Sequence, residues 1–307
     1  MPEVRVLGFD MDFLVSTADP RPTPEELKEK VAAISPHIEI TEGGARGALW
    51  SAEYINPETL VSFEFTCKTP SPGVINFSAY ETGLSVSVPC VCPTFIARES
   101  MPILAQFAKQ TKYWIYTPNG QVIEKPDGAQ LQVLWNEQNK RTIHRMSMGD
   151  DELPHYFPME QMDAMWRYAN ARSQLTKRYE GRGIYVPRIV LMRNKLSRQQ
   201  IFRSIFWTEM EPTVLPDIDA VVLSKPGRLI FGRFPAGEPE NVVVRFSQIE
   251  DIVGPYIKTA VRPFEHRIIE DTAPFRLQIL RRLLELLPAK HRNFETVNPE
   301  EVIDVQV

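Results

Sequence analysis

Ser85–Gln121, SVSVPCVCPTFIARESMPILAQFAKQTKYWIYTPNGQ, decides the fold. Apolar and hydroxyl residues alternate from Leu84 to Val88, the period of a strand with one face on a core. Pro89 and Pro93 mark a turn. Phe95, Ile96, Leu104, Phe107 and Ala108 then recur at helical spacing, an apolar stripe that can cover a sheet. Pro102 falls inside this run, so two helical pieces meeting near Ser100 are expected. Tyr113-Trp114-Ile115-Tyr116 reads as a short strand, turned back by Pro118-Asn119-Gly120 towards Val122-Ile123.

Upstream, Val4 to Val15 is a strand interrupted by Asp10 and Asp12. Thr23-Pro24-Glu25-Glu26 is a helix start: a capping hydroxyl, proline at the first helical position and a glutamate that completes a capping box. Leu27, Val31 and Ile34 form its apolar face. Four strands are expected at 37–41, 48–54, 60–67 and 74–80, separated by proline-marked turns. Val61, Phe63, Phe65 and Cys67 alternate with Ser62, Glu64, Thr66 and Lys68, as in an antiparallel meander with one face towards water.

Downstream, a strand region is expected over Gln130 to Met148, and Gly149-Asp150-Asp151-Glu152 begins an acidic connector. Phe157 to Tyr179 reads as one helix, stopped by Gly181 and Gly183. Five apolar runs follow at 184–192, 201–207, 220–223, 229–234 and 242–246. Ser247-Gln248-Ile249-Glu250 opens a helix to about Thr259. A last helix, 273–287, carries a leucine face formed by Leu277, Leu280, Leu283, Leu284 and Leu287. The expected class is α+β: two antiparallel sheet-plus-helix units with a connecting helix and a C-terminal helix. The expected division is 1–150, 151–183, 184–262 and 263–307.

Composition narrows the function classes. The chain of 307 residues has a net charge of −4, which gives no general attraction to nucleic acid or anionic lipid. No apolar run reaches the ~20 residues of a membrane span. The opening MPEVRVLGFD lacks the basic head and cleavage site of a secretory signal, and three cysteines do not make a disulfide framework. A cytoplasmic protein is expected. Prolines outnumber glycines, 26 to 15, which favours fixed turns over glycine-cradled phosphate loops.

The candidate chemistry is sparse. Cys90-Val91-Cys92 is too closely spaced for a usual metal pair, and no two histidines stand four apart. No metal or cofactor is expected; the cysteines read as small buried hydrophobes. Arginines and lysines between Arg262 and Arg292 are diluted by acids and read as a solvated face rather than a nucleic-acid stripe. Trp114 and Tyr116 are candidate aromatic anchors for a protein partner. Asp150, Asp151 and Glu152 are a candidate acidic patch. The leucine face of 273–287 offers a homodimer contact.

Two resemblances attach to particular residues. Phe9-Asp10-Met11-Asp12 after an apolar strand resembles the opening motif of haloacid-dehalogenase phosphohydrolases. That resemblance implies Asp10 as nucleophile and Asp12 as acid/base, with Mg²⁺. Phe13 and Leu14 depart from its glycine and small hydroxylic positions. Val88-Pro89, Pro93-Thr94-Phe95 and Trp114-Ile115-Tyr116-Thr117-Pro118 look like a pattern in uncharacterised bacterial proteins, some of which resemble immunity proteins of polymorphic toxins. Val214-Leu215-Pro216-Asp217-Ile218-Asp219-Ala220-Val221-Val222-Leu223 shares the likeness. It implies a small cytoplasmic binder, without catalysis, whose protein partner is a toxin. The leading expectation is therefore a non-enzymatic protein-binding protein. Its alternatives are the phosphohydrolase using Asp10 and Asp12, and a small-molecule binding module.

Overall fold

The computed structural model describes residues 8–43, 47–71, 73–75, 78–149, 154–195, 200–207, 211–224, 241–270, 289–290 and 293–305. The chain begins with β1 (Gly8–Ser16), α1 (Pro24–Ala32), β2 (Ile38–Glu42), β3 (Trp50–Ile55), β4 (Ser62–Cys67), β5 (Val74–Ile75) and β6 (Ala79–Pro89). There follow α2 (Phe95–Thr111), β7 (Trp114–Tyr116), β8 (Val122–Ile123), α3 (Gly128–Ser147), β9 (His155–Tyr156) and α4 (Met159–Tyr179). The remainder is β10 (Val190–Asn194), β11 (Ile201–Trp207), β12 (Thr213–Leu215), β13 (Ala220–Ser224), β14 (Asn241–Arg245) and α5 (Phe246–Val253). It ends with β15 (Ile257–Ala260), β16 (His266–Ile269), β17 (Ala289–Lys290), β18 (Phe294–Val297) and β19 (Val302–Ile303). The class is α+β. The chain divides into two units: Met1–Met159 with Glu300–Val307, and Glu160–Pro299.

The first unit is built on an antiparallel sheet in the order β2-β3-β4-β6-β1-β7-β8, with β5 beside β6. Its inner face is the alternating apolar set. Phe63 and Phe65 of β4 lie in register with Tyr54 and Ala52 of β3, and Phe65 with Val86 of β6. The α2 residue Phe107 packs edge-on against Phe13 and Phe65. Opposite Phe13, β6 carries extra residues where the register shifts between Asp12 and Leu14. The Thr82 hydroxyl donates 2.8 Å to the Phe13 carbonyl there. Gly83 sits at φ +87°, where a Cβ would meet the Lys68 carbonyl oxygen at 2.2 Å. This bulge needs glycine.

The first helix starts as the sequence dictates. Thr23 Oγ1 accepts from the Glu26 N–H at 3.2 Å, and Glu26 Oε2 accepts from the Thr23 N–H at 2.7 Å. α2 differs from expectation, being one helix through Pro102 rather than two pieces. Gly128, at the start of α3, lies so close to Pro102 that a Cβ would stand 2.9 Å from the proline Cα. Gly128→Ala is expected to cost about 1–2 kcal/mol, despite alanine's better helix propensity, because the neighbour is backbone. Chemical denaturation of the variant measures it.

α3 itself replaces the strand expected over Gln130 to Met148. Asp127 caps it by accepting the Gln130 N–H, and Leu131, Trp135, Asn139, Thr142 and Ile143 are buried at helical spacing. A buried asparagine and threonine in that stripe obscure the apolar period.

In the second unit a sheet runs β17-β14-β13-β11-β10-β18, with β11 and β13 parallel and the other pairs antiparallel. One face carries Ile205, Trp207, Val221 and Val244 against Ile249 and Val253 of α5. α5 ends at Gly254-Pro255, shorter than expected, and β15 follows. Within 184–192 only the last residues join the sheet; Pro187 removes a donor from the earlier part. α4 packs Tyr168, Leu175 and Tyr179 with Val214 and Ile268 of the three-stranded sheet β12-β16-β15. Gly181 and Gly183, at φ +77° and +65°, follow its end. The expected strand 229–234 and helix 273–287 lie outside the described residues.

Candidate functional site

The outer face of the first sheet is polar because its strands alternate. β1 turns Met11 and Phe13 inward and leaves Asp10 and Asp12 exposed. Register then carries the polar positions into two rows running across the strands. One row is Glu39, Glu53, Glu64, Ser87 and Asp10. The next is Thr41, Ser51, Thr66, Ser85, Asp12 and Tyr116. Neighbouring members stand about 4.8 Å apart at the backbone. Glu39, Glu53 and Glu64 are exposed like charges directly opposite one another, an arrangement that weakens a sheet.

Asp10 Oδ1 accepts a 2.6 Å hydrogen bond from the Ser87 hydroxyl. Crowding by the sheet surface raises the Asp12 pKa. The charges of Glu81 and Asp10 add to that shift, and Lys68 opposes it. Tyr116 is beside Asp12 and half-buried. Trp114 is beside Leu14, which is fully buried, so the open surface ends there.

The two candidate aromatics and two candidate aspartates thus occupy one strand pair. Asp150, Asp151 and Glu152 lie outside the described residues. Asp10 and Asp12 stand within a strand paired antiparallel, Asp10 with β6 and Asp12 with both β6 and β7, rather than at the carboxyl end of a parallel strand. Among the described residues no three His, Cys, Asp or Glu side chains group closely enough to hold a metal ion. Sequence reading missed the glutamate row, since its members come from three strands and only their exposed phase in each alternation hints at it.

The cysteines are buried free thiols. Burial pushes the Cys90 thiol up to about 12, with Asp10 adding to it, and the Cys67 thiol up to about 11. Cys92 is raised well above the ordinary range, first by burial. Such thiols are poor nucleophiles. The loop between them has a β-branched residue, Val91, at φ +64°. Buried Asn139 holds it by accepting the Val91 N–H at 2.6 Å and donating to the Cys92 carbonyl at 3.1 Å. Trp135 Nε1 donates to Pro89 O at 2.9 Å. These bonds fix the entry to α2.

The second unit contains a cavity of about 710 Å³ between one face of α4, the loop after β12 and the approach to β16. Its lining mixes small, aromatic and charged residues. No helix among the described residues is long and apolar enough to cross a membrane. Compared with protein-family models, curated proteins and solved structures, the chain matches none.

Proposed function

We propose that this chain is a non-enzymatic binding protein that holds a basic protein surface against the open face of its first sheet. The observation that carries the reading is the facing of Glu39, Glu53 and Glu64 across three strands, with Asp10 two strands further on. Among the described residues none of the three glutamates has a salt-bridge partner. A folded protein retains such frustration where something else relieves it. A row of lysines or arginines on a partner would do so, and complementary fields also speed encounter. The hydroxyl row offers hydrogen bonds beside it, and Tyr116 and Trp114 supply apolar area at its end. A basic toxin is the partner that the immunity-protein likeness implies. A cytoplasmic location accords with three free thiols.

The double variant Glu53→Lys/Glu64→Lys tests the reading. Partners captured by the full chain are identified, and affinity is remeasured with each purified candidate. A basic partner whose affinity falls about a hundredfold in the variant supports the proposal, since like-charge juxtaposition costs several kcal/mol. An acidic partner, or one bound equally by the variant, overturns it. The phosphohydrolase alternative makes a different prediction: Mg²⁺-dependent turnover lost in Asp10→Asn.

Asp12 gives a second test with opposite signs. Its folded-state pKa is raised, so the folded protein binds more protons than the unfolded chain in that window. Stability therefore falls as pH rises through it. Asp12→Asn is expected to raise the denaturation midpoint at neutral pH while weakening the basic partner. A midpoint that falls, or affinity that does not, counts against this role for Asp12.

A further inference from the structure

The cavity in the second unit has a size within the roughly 300–1,000 Å³ of small-molecule sites. Ala164, Arg167, Tyr168 and Ala171 recur three, four and seven residues apart and present one face of α4 to it. The two alanines leave room, and Tyr168 with Phe264 supplies aromatic surface. Tyr168 has its hydroxyl tied to Pro187 O at 2.9 Å, so its ring position is fixed.

Most of the polar lining is already committed. Asp217 is bound by Arg203 at 2.7 Å, and an Arg267 nitrogen donates to Pro216 O at 3.0 Å. His266 has both ring nitrogens engaged, one with Phe264 O and one with the Tyr179 hydroxyl. Two charges remain. Among the described residues Arg167 bonds through its Nε alone, to the carbonyl of Asp163 one turn earlier. Among the described residues neither Arg167 nor Glu265 has an ion-pair partner. A guanidinium fork and a carboxylate thus line one cavity without pairing to each other, with aromatic surface beside them.

We infer that this cavity binds a small zwitterion, a free α-amino acid with an aromatic or branched apolar side chain. The carboxylate bonds the terminal nitrogens of Arg167. The ammonium meets Glu265, and the side chain lies between Tyr168 and Phe264 over the two alanines. Neither the proposed partner face nor its glutamates enter this inference.

Calorimetric titration of the full chain tests it with L-phenylalanine and L-leucine. The controls are N-acetyl-L-phenylalanine, which lacks the ammonium, and L-phenylalaninamide, which lacks the carboxylate. Both amino acids are expected to bind, with each control weaker by about tenfold or more. Arg167→Gln is expected to weaken phenylalanine but not its amide. Glu265→Gln is expected to weaken phenylalanine but not the acetylated form, the pairing that a mutant cycle isolates. Both residues are exposed, so the melting temperature is expected to stay unchanged. Absence of saturable binding by either amino acid at millimolar concentration overturns the inference. So does binding that both substitutions leave unaltered.

Discussion

Asp304→Ala is expected to cost the first unit about 3–5 kcal/mol, although the residue stands close to the end of the chain. The reason is its position at the start of α2. The Asp304 carboxylate accepts the Thr94 N–H through both oxygens, at 3.1 and 2.9 Å, and the Thr94 hydroxyl at 2.7 Å. Asp304 is 3% exposed and Thr94 7%, so water does not readily replace the lost acceptor. Each buried donor left unsatisfied costs about 1–3 kcal/mol. The negative charge also opposes the positive end of the α2 dipole, which in a buried setting contributes up to about 2 kcal/mol.

The same return segment places Val302 and Ile303 in the core and pairs β19 in parallel with β9. It also puts Glu300 where its carboxylate accepts from the Ser62 hydroxyl at 2.9 Å. Asp304→Asn is expected to fall between wild type and alanine, because one acceptor oxygen survives without the charge. Thr94→Val, which keeps the N–H but loses the hydroxyl, is expected to cost about 1 kcal/mol. Denaturant unfolding gives these values, and hydrogen exchange locates them: protection in α2 is expected to drop first. An Asp304→Ala protein as stable as wild type would show that the carboxylate is not the cap.

Local rules made much of this architecture legible. The Thr23 capping box, the alternation of 61–68 and 84–88, and the stripe of α2 each depend on residues a few positions apart. What escaped depends on distant partners. Asn139 sits in the buried stripe of α3 because the Cys90–Cys92 loop, far back in sequence, needs its two hydrogen bonds. Read locally, the same asparagine breaks the helix period. Asp304 looked like a tail residue because its partner lies 210 positions away. The proposed binding face is half visible in the sequence. Trp114 and Tyr116 read as partner anchors and Asp10 and Asp12 only as a phosphohydrolase pair, each on its own strand, while Glu39, Glu53 and Glu64 become a row only once register is known. Pro102 escaped for another reason: its penalty is local, but the packing of Gly128 beside it is not.

Asp219→Ala is expected to destabilise the second unit by about 3–5 kcal/mol, and Arg203→Met by clearly less, although the two residues form one ion pair. Arg203 lies in β11 with its side chain 6% exposed, whereas Asp219 is 37% exposed and Asp217 is 72% exposed. Asp219 takes both Arg203 Nε, at 3.2 Å, and a terminal nitrogen, at 2.9 Å. It also accepts the Arg203 backbone N–H at 2.8 Å. Burial pulls the guanidinium pKa down, but the bonds to Asp219 and Asp217 outweigh it and leave it raised.

Deleting Asp219 therefore leaves the buried cation with only the largely exposed Asp217 as counter-ion and orphans a strand N–H. Deleting the arginine leaves two carboxylates that water already reaches, and the N–H keeps its acceptor. Asp217→Ala is expected to cost under about 1 kcal/mol, because its carboxylate lies largely in water and Asp219 keeps the guanidinium paired. The double variant Arg203→Met/Asp219→Ala is expected to be more stable than Asp219→Ala alone, because the buried charge is gone. Equal losses for the two single variants, or additive losses in the double, would mean that desolvation of the arginine does not govern this site. Denaturant midpoints of the four proteins decide it. The outcome also bears on the proposed amino-acid site, since a lost Arg203 leaves Asp217, which lines the same cavity, without its counter-ion.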